Sequence, residues 1–197
     1  MKISTSLKNK LKRGFLLFLF TTLLFFTDFI AYILISNISQ SMDLISWPYY
    51  SIAAIGHASL FSFILLTGIY IPLSLIFKSH KVATIAYSIV AILLQTVILV
   101  DIFVFDIYKF HIYAFVIELI LGGAATDIFV FDWMLYLKFT MLVICFAVIP
   151  LLIGVFISKK YYSRIKPSTV KYISVLIISC IVLSHLIHTV AHAAKQY

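Results

Sequence analysis

The residues that could carry out chemistry are few, and most of them lie inside apolar stretches. Near the C-terminus, His185, His188 and His192 occur at positions i, i+3 and i+7, which places three imidazoles on one face of a helix. Such a stripe can bind zinc, copper or iron, and histidines from two helices can ligate haem. A metal site usually also needs carboxylates that converge on it. We therefore predict no metal and no cofactor, with this stripe as the alternative.

A second group of polar residues is spread along the apolar stretches. In one of them Ala53, Gly56 and Ser59 recur every third residue around His57, a spacing that lets another helix approach closely. A charged side chain at mid-membrane costs about 2.5–3.5 kcal/mol on insertion scales, so each buried polar group needs a partner or a wet cavity. We predict an intramembrane polar network of five residues: Asp28, His57, Gln95, Asp101 and His185.

The sequence contains no motif with a known catalytic mechanism. It has no HExxH, no glycine loop that could cradle a phosphate and no nucleophile elbow. Cys145 and Cys180 each lie in an apolar run, where a thiol behaves as a small buried hydrophobe. We expect no catalytic residues, no disulfide and no enzymatic activity of this chain.

The composition describes the environment in which these residues work. Of 197 residues, 63% are hydrophobic and 11% are charged, and the mean hydropathy is +1.14. Soluble domains carry roughly 25% charged residues, so a cytosolic enzyme, a disordered tail and a secreted disulfide scaffold are all excluded. The net charge is +8, but the basic residues flank apolar stretches instead of forming a stripe with exposed aromatics. We therefore expect no nucleic-acid partner.

Five apolar stretches are long enough to cross about 30 Å of hydrocarbon as helices. Strands are not expected. The edges of an isolated sheet would leave backbone N–H and C=O groups without hydrogen bonds in lipid, and the alternation of apolar and polar residues typical of a barrel strand is absent. The predicted fold is an all-α integral membrane bundle of five helices, forming one domain over residues 1–197. The spans are predicted at about 15–36, 49–77, 82–105, 133–158 and 170–192.

The distribution of charge predicts the orientation of the chain. Five Lys and Arg residues precede the first span, two separate the second and third spans, and five surround the connection between the fourth and fifth. Only Lys109, Lys138 and Lys195 fall near the opposite face, and no acidic residue falls on the basic side. The positive-inside rule then places the N-terminus in the cytoplasm and the C-terminus outside.

The longest connection, between the third and fourth spans, contains an amphipathic run at residues 111–121. It is too short to span a membrane and is followed by Gly122 and Gly123, so we predict a short interfacial or re-entrant helix. Such a helix would contact lipid or act as a lid on the bundle. The hexapeptide DIFVFD occurs at 101–106 and again at 127–132, where spans meet the interface.

The order of several short motifs resembles the N-terminal membrane domain of the YejM/PbgA-type inner-membrane proteins of Gram-negative bacteria. The resemblance covers nearly the whole chain. It is carried by Ile55-Gly56-His57, by D-x-x-V-F at 101–105, by Phe110-His111-Ile112, by Asp132-Trp133 and by Ser184-His185. The chain departs from that pattern at Ile112-Tyr113-Ala114 and at residues 190–193, so His57 and His185 carry over while His188 and His192 match it only weakly.

The resemblance implies a role in lipopolysaccharide sensing and outer-membrane lipid homeostasis. It implies lipopolysaccharide or its lipid A part as ligand, cardiolipin in an older proposal, and a LapB-type membrane regulator as partner. In that family a periplasmic, sulfatase-like hydrolase domain follows the five spans. We expect that domain to be absent from this chain. The chain would then be either truncated or a natural short form.

The leading functional hypothesis is a non-catalytic membrane anchor in the bacterial inner membrane that recognises lipid or a partner protein. The predicted recognition residues lie at the outer edge of the bundle: Trp47, Tyr49, Tyr50, Lys109, His111, Glu118, Trp133, Lys138 and Lys195. The alternatives are a histidine-based metal or haem oxidoreductase and a small ion-coupled transporter. The transporter is supported by Asp28, Gln95 and Asp101 and weakened by the lack of paired broken helices.

The predicted orientation can be tested with single cysteines at positions 160 and 197 in a background without Cys145 and Cys180. An impermeant thiol reagent applied to intact cells should label position 197, whereas position 160 should react only after permeabilisation. Labelling of both positions from one compartment contradicts the five-span topology.

Overall fold

The computed structural model describes residues 5–35, 44, 46–109, 111–112, 118, 121–123 and 132–194. Within these ranges every long element is a helix: α1 is Thr5–Ile35, α2 is Ser46–Ile76, α3 is His80–Tyr108, α4 is Trp133–Arg164 and α5 is Pro167–Ala194. All five are long and apolar enough to cross a membrane. The all-helical fold class and the number of membrane-length helices are thus confirmed, and they fit a multi-pass membrane protein. The predicted interfacial helix at 111–121 lies mostly outside the described residues.

The ends of the helices follow from local chemistry. α1 begins at Thr5, well before the predicted start of its span at residue 15, because the basic run between them also consists of good helix formers. At the start of α3 the Ser79 hydroxyl accepts a hydrogen bond from the backbone N–H of Lys81, an N-cap. α3 ends where Lys109 adopts a left-handed conformation with φ of 60°.

Two of the helices contain a five-residue π-helical segment just before a proline. In α2 this segment is Leu66–Tyr70 and precedes Pro72; in α4 it is Ile144–Val148 and precedes Pro150. Proline has no N–H and its ring clashes with the carbonyl four residues earlier. A wider turn relieves that clash, so both helices continue through the proline. Neither interruption was predicted from the sequence.

The core lies around α1, which packs against α2, α3 and α4. Tyr70 and Tyr87 are its largest fully buried side chains, and their rings meet edge to face at 6.1 Å. Both of these tyrosine hydroxyls have a partner: that of Tyr87 bonds to the Thr21 hydroxyl at 2.6 Å, and that of Tyr70 donates to the Lys10 carbonyl at 2.9 Å. Both bonds join α1 to a neighbouring helix. They also satisfy hydroxyl groups that would be costly to bury without a partner.

Small residues set the distances between the helices. A Cβ atom at Gly154 on α4 would collide with the Phe20 ring on α1, and one at Gly56 on α2 would lie 3.3 Å from Ser184 on α5. The predicted small-residue seam around His57 is therefore the place where α5 approaches α2.

Substitution of Gly154 by alanine tests this packing. The new methyl group must displace Phe20, so we expect a loss of about 1–3 kcal/mol, typical of overpacking. The matched control is Gly68→Ala in α2, where a Cβ meets nothing within 4 Å. That control should be neutral or slightly stabilising. The measurement is the thermal unfolding of the purified protein in detergent, and equal midpoints for the two variants would contradict the packing.

Candidate functional site

The two ends of the bundle differ in charge. The basic end comprises the start of α1, the end of α2, the start of α3 and the end of α4. Here the Lys10 ammonium donates to the carbonyls of Ser74 and Phe77, both at 2.8 Å, and so caps the C-terminus of α2. A cation at this place also interacts favourably with the helix dipole. Lys10 thus joins α1 to α2.

Arg13 makes the corresponding connection to α3 and α4. Its guanidinium lies 4.1 Å from the centre of the Tyr162 ring and contacts Nε2 of His80. Because arginine can only donate, this nitrogen of His80 is the acceptor. From the sequence, Lys10 and Arg13 contributed only to the predicted orientation, and these contacts were not predicted. The sequence features that could have indicated these contacts were an aromatic residue, Tyr162, and the end of an apolar stretch at Phe77.

The opposite end, which we call the acidic end, contains a cluster around Asp101 of α3. One oxygen of its carboxylate accepts from the backbone N–H of Ile112 at 2.6 Å, and the other accepts from Nδ1 of His111 at 2.8 Å. Nε2 of His111 lies 3.2 Å from the hydroxyl of Tyr32 on α1, and the imidazole stacks on Phe105 with 4.6 Å between ring centres. The cluster fastens the chain that leaves α3 to both α3 and α1.

The order of these bonds fixes the tautomer of His111. Since the carboxylate of Asp101 only accepts, Nδ1 carries the proton, and Nε2 can then accept from the hydroxyl of Tyr32. The carboxylate, imidazole and hydroxyl form one chain of hydrogen bonds, with the imidazole about half exposed. Chemically, such a chain holds an imidazole in one orientation near the membrane interface.

His57 and His185 form a separate pair between α2 and α5. Their rings are nearly parallel with centres 6.5 Å apart, beside a cavity of about 110 Å³ that Tyr49, Ala53 and Ser184 also line. Each Nδ1 donates to the backbone carbonyl four residues earlier in its own helix, at 2.8 Å in His57 and 2.9 Å in His185. Nε2 of each neutral ring is thereby left as the acceptor.

The pair supplies fewer ligands than the three protein ligands of a typical catalytic zinc site. Within the described part of the chain, no group of three or more His, Cys, Asp or Glu residues is placed to hold a metal ion. The side chains of His188 and His192, which complete the predicted alternative stripe, lie outside the described residues.

Asp28 and Gln95 lie deep between the helices. Asp28 is 3% exposed and Gln95 is 2% exposed. Oδ2 of Asp28 and Nε2 of Gln95 are buried without a hydrogen-bond partner in the described structure. Of the five residues predicted as one polar network, Asp101 bonds to His111 and His57 lies beside His185, whereas Asp28 and Gln95 are each buried and line different cavities.

The predicted recognition residues are spread over the acidic end. Trp133 at the start of α4 is 75% exposed, and Lys138 and Glu118 are also exposed. Lys109 lies 3.7 Å from Asp106, and the ring of Tyr49 packs on that of Tyr50 at 5.2 Å. Trp47 is half-buried in the first turn of α2. Lys195 lies outside the described residues.

The first part of α4 stands apart from the rest of the bundle. None of the residues in Trp133–Val143 is buried. Between this segment and α3 lies a cavity of about 200 Å³ with a wholly apolar lining: Val100, Phe103, Val104, Leu135, Tyr136 and Phe139. We call it the apolar groove. A second cavity, of about 190 Å³, lies on the other side of Phe103 and contains Asp28.

The five apolar helices fit a multi-pass membrane protein, and polar clusters lie at both ends of the bundle. Residues 2–197 match the model of a family described as "Domain of unknown function (DUF3413)", and the chain belongs to that family. No curated protein matches the chain significantly.

The cluster at Asp101 can be tested with one substitution and a matched control from the same hexapeptide. Asp101→Asn weakens two charge-assisted bonds, so we expect a loss of about 1–3 kcal/mol of stability. Asp106→Asn removes only an exposed pair with Lys109, and its expected effect is within about 1 kcal/mol. Thermal unfolding at neutral pH compares the two variants. If Asp106→Asn were the more harmful, the assignment of the cluster would be wrong.

Proposed function

We propose that this chain is a non-catalytic recognition module of a bacterial inner membrane that binds lipopolysaccharide at its acidic end. In this proposal the basic end faces the cytoplasm and the acidic end faces the periplasm. The observation that carries the proposal is the separation of the first part of α4 from α3, because it leaves the apolar groove open beside a helix with no buried residue.

The apolar groove has the properties that an acyl chain requires. Its lining is wholly apolar, and its volume of about 200 Å³ exceeds the roughly 150 Å³ of a cavity that binds benzene. Aromatic side chains at the acidic end, Trp133 among them, are of the type that sits at headgroup depth. A lipid seated here would have its hydrocarbon between α3 and α4 and its headgroup near their ends.

The charge of the neighbouring residues suits an anionic headgroup. Lys109 at the end of α3 and Lys138 on α4 are both exposed at the same end, and Lys195 follows α5 in the sequence. Basic residues near a membrane surface attract phosphate at about 1 kcal/mol each. Lipid A combines several acyl chains with phosphate groups, which is the combination that the groove and these lysines match.

The resemblance to YejM/PbgA-type proteins supports the physiological part of the proposal. It suggests that binding of lipopolysaccharide is passed to a LapB-type membrane regulator and so adjusts outer-membrane lipid balance. Cardiolipin, with two phosphates and four acyl chains, is the second lipid that the same groove and lysines would suit. The contacts of Lys10 and Arg13 would keep the basic end rigid while the acidic end binds.

The test replaces Lys109, Lys138 and Lys195 by glutamine together and measures lipopolysaccharide binding to the protein in nanodiscs. At about 1 kcal/mol for each lysine, affinity should fall on the order of 100-fold. The matched control replaces three exposed lysines of the basic end, Lys78, Lys81 and Lys166, and should bind like the parent protein.

A second variant probes the apolar groove without changing the charge. Leu135→Trp fills the groove and should reduce binding while the lysines stay in place. Unchanged binding in both the lysine variant and Leu135→Trp would overturn the proposal.

A further inference from the structure

The second cavity at the acidic end differs from the apolar groove in one respect: it contains a buried carboxyl group. The cavity lies between α1, α3 and α4 and has a volume of about 190 Å³. Asp28 lines it, is 3% exposed and has one carboxyl oxygen, Oδ2, without a partner in the described structure. Neither of the ion pairs in the described residues includes Asp28. Asp28 is therefore a buried acid with one carboxyl oxygen for which the described residues supply no hydrogen-bond partner.

A buried carboxyl group in an apolar environment either takes up a proton or gains a partner for its charge, because an isolated carboxylate there is too costly. The cavity beside Asp28 is large enough to admit one, since a cavity of roughly 150 Å³ binds benzene. A second carboxylate, Asp106, also lines the cavity; it is exposed and lies 3.7 Å from the Lys109 ammonium. The buried acid Asp28, which has no such neighbour among the ion pairs of the described residues, favours a cationic occupant.

The lining of the cavity decides which kind of cation fits. A hard metal ion such as Ca²⁺ requires six to eight oxygen ligands, whereas the side chains here offer only two carboxylates and the hydroxyl of Thr27. Most of the lining is hydrocarbon and two rings: Ala31, Leu99, Ile102, Phe103, Leu142 and Phe146. Aromatic rings of this kind attract organic cations.

Thr27 adds an acceptor for such a cation. Its hydroxyl proton is already donated to the Leu24 carbonyl at 2.7 Å, so the lone pairs of its oxygen remain for a donor. An ammonium group has three N–H donors, which the carboxylate of Asp28 and the Thr27 oxygen can accept in part. An attached apolar body would lie against Phe103 and Phe146.

We propose that the cavity at Asp28 binds the primary ammonium group of an amphipathic amine, with the carboxylate of Asp28 as its counter-ion. The group can come from the ethanolamine headgroup of a membrane lipid or from a free amine. This site is separate from the apolar groove, and the proposal does not depend on lipopolysaccharide binding.

The experiment compares two probes of nearly equal shape, 2-phenylethylamine and 2-phenylethanol, on the purified full chain. The detergent and the buffer must contain no amine. The amine should raise the midpoint of thermal unfolding in a saturable way, because a ligand that binds only the folded state stabilises it. The alcohol, which lacks the charge, should have little effect. Equal shifts with the two probes would overturn the proposal.

Two variants locate the site. Asp28→Asn keeps the size of the side chain and removes its charge, so affinity for the amine should fall at least about tenfold. Ala31→Leu keeps Asp28 and fills the cavity, and it should abolish the amine effect even if Asp28→Asn fails to fold. The control Asp132→Asn, at an exposed acid at the start of α4, should respond like the parent protein. An amine effect that persists in Ala31→Leu contradicts the site.

The source of the ammonium group is distinguished with lipids. Nanodiscs of phosphatidylethanolamine should compete with 2-phenylethylamine, whereas nanodiscs of phosphatidylcholine, whose ammonium carries no N–H, should not. Competition by the first lipid alone assigns the headgroup as the occupant, and no competition by either assigns a free amine. Equal competition by both lipids would contradict recognition of a primary ammonium.

Discussion

The five apolar helices fit a multi-pass membrane protein, and in such a protein no water separates the helices; this is the constraint on which the structure depends. Lipid tails are as apolar as leucine, so burial of hydrocarbon between helices gains little, and close packing and polar contacts must hold the bundle together. α1 meets this need with Gly14 and Phe20 for close packing and with Thr21, Lys10 and Arg13 for polar contacts. α1 contacts α2, α3 and α4, and α3 also packs directly against α2.

The two ends of the bundle differ in how their polar side chains are engaged. At the basic end three polar side chains are bound within the bundle: Lys10 caps α2, Arg13 contacts α3 and α4, and Tyr70 bonds to the backbone of α1. At the acidic end Oδ2 of Asp28 has no partner in the described structure, and the apolar groove lies open between α3 and α4. The proposed recognition at the acidic end relies on this difference between the two ends.

Hydropathy predicted the five helices, because any stretch of about twenty apolar residues has few alternatives in lipid. The small-residue spacing around His57 also indicated correctly where a second helix approaches. The pairing of Asp101 with His111 was not predicted, because it depends on how the chain turns after Lys109 rather than on helix periodicity. The π-helical segments before Pro72 and Pro150 were also not predicted, because hydropathy does not depend on the number of residues in each helical turn. The depth of Asp28 was expected, but its cavity depends on how α4 is tilted.

The attachment of α5 has a consequence for the order of assembly. This helix packs chiefly on α2, where Ser184 meets Gly56, and Ser184 is its one buried side chain among those described. The first four helices share the central core, so they can associate as a unit before the last helix inserts beside them. This packing favours an order in which α5 docks last, and a larger side chain at Gly56 would weaken its contact with Ser184 while the contacts among the other four helices remain.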